Sequence, residues 1–157
     1  MREIVQAMVA RGLFLAIIDG GDGFDPGSFN RGALMRMLWV RTQLAEEAIK
    51  AADLLLRDGN LPLVILHLRG IPLTALRRVP SQHWYRLQRL AKQTGTTCLA
   101  VTPQPFVPCA RKRWLTGGDF TLDDLERDAV EIMPRVQMQV QMRQGSMQRP
   151  EVVAQAG

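Results

Sequence analysis

Four segments of this chain are short apolar runs, and a fifth alternates apolar with polar residues without a slip. Leu13–Asp19, Met37–Val40, Leu63–Leu68 and Thr97–Thr102 are rich in Leu, Ile and Val and are bounded by Gly, Pro or charged residues. Runs of that length and composition predict strands buried on both faces, as in a parallel sheet covered by helices. Between them the apolar positions recur at helical spacing. Residues 2–11 place Ile4, Val5, Met8 and Val9 on one stripe, which stops at Gly12. Ser28 is placed to cap a short helix through Met35. Thr42 reads as the N-cap of a helix with Glu46 and Glu47 at its positive end, Arg57 at its negative end and Gly59 as its stop. A short helix is expected over Leu73–Arg78. A longer one runs from a Ser81 cap to Thr94, with Trp84, Leu87, Leu90 and Ala91 inward and Arg86, Arg89 and Gln93 outward. Strands and helices thus alternate, and the fold class is α/β: a mostly parallel sheet with helices on both faces.

The C-terminal part follows a different rhythm. Val136-Gln-Met-Gln-Val-Gln-Met142 has the period of a strand wet on one face, which suits an antiparallel edge strand. Its methionine stripe is expected to pack in a core rather than to line a cofactor pocket. From Gln144 the chain is polar and aperiodic, so residues 144–157 read as a disordered tail and residues 1–143 as the domain.

Composition narrows the class. With 157 residues, 46% hydrophobic and 22% charged, the chain is long enough for one domain with a core. No apolar run approaches the roughly 20 residues that cross a bilayer. Arg2, Glu3 and Arg11 make the first helix amphipathic, unlike a signal peptide. Cys98 and Cys109 are too few for a disulfide framework, and no His/Cys cluster has zinc spacing. The expectation is a cytoplasmic protein that needs neither membrane, metal nor cofactor. The net charge is +5, and from Gly59 to Gly118 there is no Asp or Glu at all. Such asymmetry suits an anionic partner, nucleic acid or an acidic protein surface, or else a basic face that only confers solubility.

The stretch that organises the rest is Leu13–Asp19 with the loop Gly20-Gly-Asp-Gly-Phe-Asp-Pro26. A buried strand ending in a glycine-rich turn delivers its C-terminal end to the edge of the sheet where ligands sit. Asp19, Asp22 and Asp25 are spaced by three, without the alternating oxygens of a calcium loop, and read as turn-bonding residues. His67, in an apolar strand, is expected to be a satisfied buried imidazole, and His83 to sit at the exposed start of its helix.

In order and spacing these pieces resemble the RecA-type ATPase core over residues 1–143. Leu15–Pro26 is similar to the family's strand and acidic loop, Thr42–Gly59 to the helix before the Walker B strand, Leu63–Leu68 to that strand, and Thr97–Gln104 to the strand ending in the sensor glutamine. The resemblance implies that Asp25 matches the aspartate near the adenine site and Gln104 the sensor glutamine, both vestigial. It also exposes departures. No G-x-x-x-x-G-K-[ST] segment cradles a phosphate, since none of Lys50, Lys92 and Lys112 follows a glycine. The first helix resembles the tail of the one that follows the P-loop. The family's water-activating glutamate falls on Gly21, and its Walker B aspartate on His67.

Two segments resemble a non-hydrolysing branch that includes the SOS-response proteins SulA and ImuA: Arg57–Arg69 and Tyr85–Pro103. The branch implies a catalytically inert module of DNA repair or SOS regulation, of the translesion-accessory or division-inhibitor type. Its partner would be a repair polymerase, a recombinase or a division protein. The family's DNA-touching loop falls on Pro105–Gly118, where Arg111, Lys112 and Arg113 stand beside Trp114, three cations and a ring that could stack on a base. An alternative is an ATPase of recombination or repair whose sequence here is incomplete at its N-terminus. Without the family's first strand, the strand at 97–102 would have an open edge. Residues 136–142 are expected to cover it, or else a partner or a second copy.

Overall fold

The computed structural model describes residues 1–127 and 129–142; the tail expected over 144–157 lies outside the described residues. The chain forms two compact units, one from Met1 to Cys109 and one from Ala110 on.

In the first unit, strands β1 (Leu15–Gly20), β2 (Met37–Thr42), β3 (Leu63–His67) and β4 (Thr97–Val101) form an all-parallel sheet in the order β2-β1-β3-β4. The two central strands are buried at every residue, Leu15 to Gly20 and Leu63 to His67, as their apolar runs Leu15–Ile18 and Leu63–Leu66 require. One face of the sheet, with Ala16, Ile18, Val64 and Leu66, packs against α3 (Ala45–Asp58) and α5 (Ser81–Thr94). The other, with Leu15, Ile17, Leu63 and Ile65, is covered by α1 (Arg2–Ala10) through Val5 and by α2 (Arg31–Leu34) through Ala33. A further short helix, α4 (Leu73–Arg78), joins β3 to α5 and buries Leu76. α3 and α5 both stop at glycines in the left-handed conformation, Gly59 at φ 71° and Gly95 at φ 73°.

Three helix starts differ from the sequence reading. Thr42 does not cap α3: it is the last residue of β2, paired with Gly20, and Glu47 instead accepts the N–H groups of Gln43 and Leu44. Ser28 does not cap α2 either, because Asn30 accepts the Ala33 N–H at 2.9 Å. Ser28 closes a 3-10 turn, Pro26–Ser28, whose cap is Asp25. Ser81 is the first helical residue of α5 and makes no capping bond, since Pro80 holds the N-cap position.

The second unit contains β5 (Lys112–Gly117), α6 (Ala129–Ile132) and β6 (Gln137–Met142), with β5 and β6 paired antiparallel. Residues 137–142 therefore do form an antiparallel strand, but in a sheet of their own rather than beside β4. Within the first unit β4 is bonded to β3 alone and is an edge strand. The loop expected over Pro105–Gly118 is a strand in its second half. The methionines are not core: Met138 and Met142 are about half exposed, because a two-stranded sheet has no second layer to cover both faces.

Candidate functional site

The C-terminal edge of the parallel sheet is built by the loops after β1 and β3. Asp19, at the end of β1, is fully buried. Its Oδ1 accepts the N–H groups of Gly23 at 2.9 Å and Phe24 at 3.0 Å, and its Oδ2 accepts the Trp39 indole N–H at 3.4 Å. The carboxylate thus winds the glycine loop back over the strand that carries it. Phe24 is held there between the rings of Phe29, at 5.3 Å, and Trp39, at 5.8 Å.

His67 stands beside Asp19 on β3 and is buried, with Nδ1 at 3.6 Å from Asp19 Oδ1. That separation is too long for a hydrogen bond, and Nδ1 has no other partner. The satisfied imidazole expected from sequence is therefore buried but unsatisfied on one nitrogen. Desolvation lowers its pKa below the ordinary histidine value, outweighing the attraction of Asp19, and Arg69 lowers it further. The group rests neutral, packed on the loop: a Cβ on Gly23 would lie 3.1 Å from His67 Cε1.

The two loops meet backbone to backbone. Gly21 has φ 78°, and a Cβ there would lie 2.5 Å from the carbonyl carbon of Gly70 and 2.6 Å from its oxygen. A Cβ on Gly70 would come within 2.3 Å of the Gly21 oxygen. Both positions must be glycine for the loops to touch. Where a ligand crevice opens in sheets of this class, this chain has its own main chain. A side chain at position 21 would meet the Gly70 main chain.

Asp25 and Gln104 follow β1 and β4 at this same end of the sheet but do not form one site. Asp25 is a structural cap: it accepts the Gly27 N–H at 2.9 Å and the Ser28 hydroxyl at 2.6 Å, which lower its pKa. Gln104 is exposed and accepts a long contact, 3.4 Å, from Arg77. Asp22, at φ 52°, takes Arg41 Nε at 2.8 Å and Nη2 at 2.7 Å, and the Arg41 bonds draw its pKa down. The guanidinium also lies 5.3 Å from the Trp39 ring centroid. Sequence reasoning missed Trp39 as a partner of Asp19; the signal available was an indole in an edge strand, which needs an acceptor for its N–H when covered. Among the described residues, no three His, Cys, Asp or Glu side chains group as metal ligands.

In the second unit, Arg111 precedes β5, and Lys112, Arg113 and Trp114 open it. Directly paired residues share a face, so Lys112, Trp114 and Thr116 lie with Met142, Val140 and Met138. Trp114 is 46% exposed, and Lys112 Nζ sits 5.0 Å from its ring centroid. Arg113 falls on the opposite face with Gln141. The turn before β6 is held by Asp124, which Arg135 and the Thr121 N–H bond and whose carboxyl they hold well below the usual range.

The fold and this edge define an α/β protein with a parallel sheet covered on both faces. No family model matches the sequence, and no curated protein matches it. Among solved structures, the crystal structure of SulA from Pseudomonas aeruginosa is similar at a TM-score of 0.42 and 14% identity, covering 64% of this chain and 87% of that one. A likeness of that size fixes neither function nor partner. No helix among the described residues is long and apolar enough to cross a membrane.

Proposed function

We propose that this chain is a catalytically inert RecA-like module that binds a protein partner in DNA repair or SOS-type regulation. The observation that carries the reading is the contact of Gly21 with Gly70. The loops after β1 and β3 pack main chain on main chain there, and a side chain at position 21 would meet the Gly70 backbone. His67 in place of an aspartate gives Mg²⁺ no carboxylate on β3. A segment preceding Met1 could supply a phosphate cradle, but it would restore neither group, which weighs against the incomplete-ATPase alternative. The partner, a repair polymerase, recombinase or division protein, or else a second copy, would meet the chain by adding a strand to the β4 edge. The test is ATP turnover by the purified chain with Mg²⁺. No hydrolysis above background is expected; turnover abolished by Asp25→Ala would refute the reading.

A second reading, DNA binding through Arg111–Trp114, is favoured by the exposed Trp114 ring beside Lys112. Substituting Arg111, Lys112 and Arg113 with Ala should weaken DNA binding and flatten its salt dependence. Unchanged affinity and slope would end it.

A further inference from the structure

We propose a second nucleic-acid surface, on the outer face of α5, that tracks the phosphate backbone of duplex DNA. α5 has 14 residues, with Trp84 and Leu87 turned into the core. Gln82, Tyr85, Arg86, Arg89 and Lys92 recur three or four residues apart on the opposite side and are all exposed. From Gln82 to Lys92 the stripe runs about 15 Å, enough to meet several phosphates of a duplex strand, which lie about 3.4 Å apart along the axis.

The charges on α5 itself are of one sign. α5 carries no carboxylate, and neither does any residue between Gly59 and Gly118. Of the α3 acids Glu46, Glu47, Asp53 and Asp58, Asp53 is the one paired with α5 among the described residues, and it is shared by Arg57 Nη2 and Arg86 Nε, both at 2.5 Å. Two guanidiniums on one carboxylate leave that cluster net positive and hold Arg86 in place. Arg89 and Lys92 form no ion pair among the described residues. Ser81, Gln82, Tyr85, Arg86 and Arg89 line an open cleft along the helix, and each can donate to a phosphate oxygen. A linear array of donors in which Arg86 alone pairs with an acid among the described residues fits a regular polyanion better than a single acidic side chain. The surface belongs to the first unit and stands whether or not the Arg111–Trp114 reading holds.

The test uses the full chain and a fluorescein-labelled 20-base-pair duplex, with anisotropy followed from 50 to 200 mM salt. Arg89→Gln with Lys92→Gln keeps the side-chain stems and leaves the Asp53 cluster intact, so an unchanged thermal melt is expected. The double variant should lower the log–log salt slope by about 1.8, at about 0.9 per cation removed, so that across this range it loses about 12-fold less affinity than the parent. An unchanged slope overturns the proposal, as does a loss seen only with the Arg111, Lys112 and Arg113 variant. Poly-glutamate that displaces the duplex one-for-one in charge would also overturn it, in favour of an acidic protein surface.

Discussion

Gly21→Ala is the perturbation that bears most directly on the closed edge. The added methyl carbon would stand 2.5 Å from the Gly70 carbonyl carbon, 2.6 Å from its oxygen and 3.0 Å from its Cα. All three are main-chain atoms, so no side-chain rotation relieves the overlap. The φ of 78° adds the left-handed penalty of a residue with a Cβ, about 1–3 kcal/mol. Forcing the loops apart adds a steric cost of the kind seen on overfilling a packed region, also about 1–3 kcal/mol. Together they predict a loss of about 3 kcal/mol. For a unit of this size that lowers the melting temperature by about 10–20 °C, read by far-UV circular dichroism and confirmed by urea unfolding at constant m. Gly12 is the control, because it has φ 71° but nothing within 4 Å of its Cβ. Gly12→Ala should cost only the conformational penalty. If the two variants melted together, the loops would not be held in contact and the reasoning would fail.

Three further outcomes follow from the packing and the charges. Leu66→Ala, at a fully buried site between β1, α3 and α5, should cost about 3 kcal/mol in chemical denaturation. His67, whose folded pKa lies below its unfolded one, contributes no pH dependence above about pH 6.5; as pH falls below that value the unfolded state takes up the proton first, so stability should drop towards the lower folded pKa. His67→Gln should remove that part of the slope, and an unchanged pH profile would show that burial does not bias the imidazole. Asp53→Ala should destabilise by about 0.5–1 kcal/mol, a difference that shrinks in high salt if the shared Arg57 and Arg86 contacts are its cause.

The parallel sheet was legible because the physics behind it is local. Leu63–Leu66 is apolar at every position, the pattern of a strand covered on both sides. The α5 boundaries were equally plain, since Trp84 and Leu87 fix its inner side and Gly95 its end. What escaped depended on partners distant in sequence. Thr42 carries a good capping side chain, but pairing with Gly20 claims it for β2. Lys112–Gly117 opens with two cations and lacks a continuous apolar run, so it does not declare itself a strand until Gln137–Met142 is laid beside it. The candidate site was read in part. Its location after β1 followed from the strand and its glycines, whereas its closure did not: nothing near Gly21 in the sequence tells that Gly70 will occupy the space beside it.

The most direct measurement is a titration of the ¹⁵N-labelled chain with a non-hydrolysable ATP analogue and Mg²⁺, following the amides of Gly20, Gly21, Gly23 and Gly70. A closed edge predicts no saturable shifts in these four signals at millimolar nucleotide. Saturable shifts that disappear in Asp25→Ala would show a nucleotide entering between the loops, and would contradict the account.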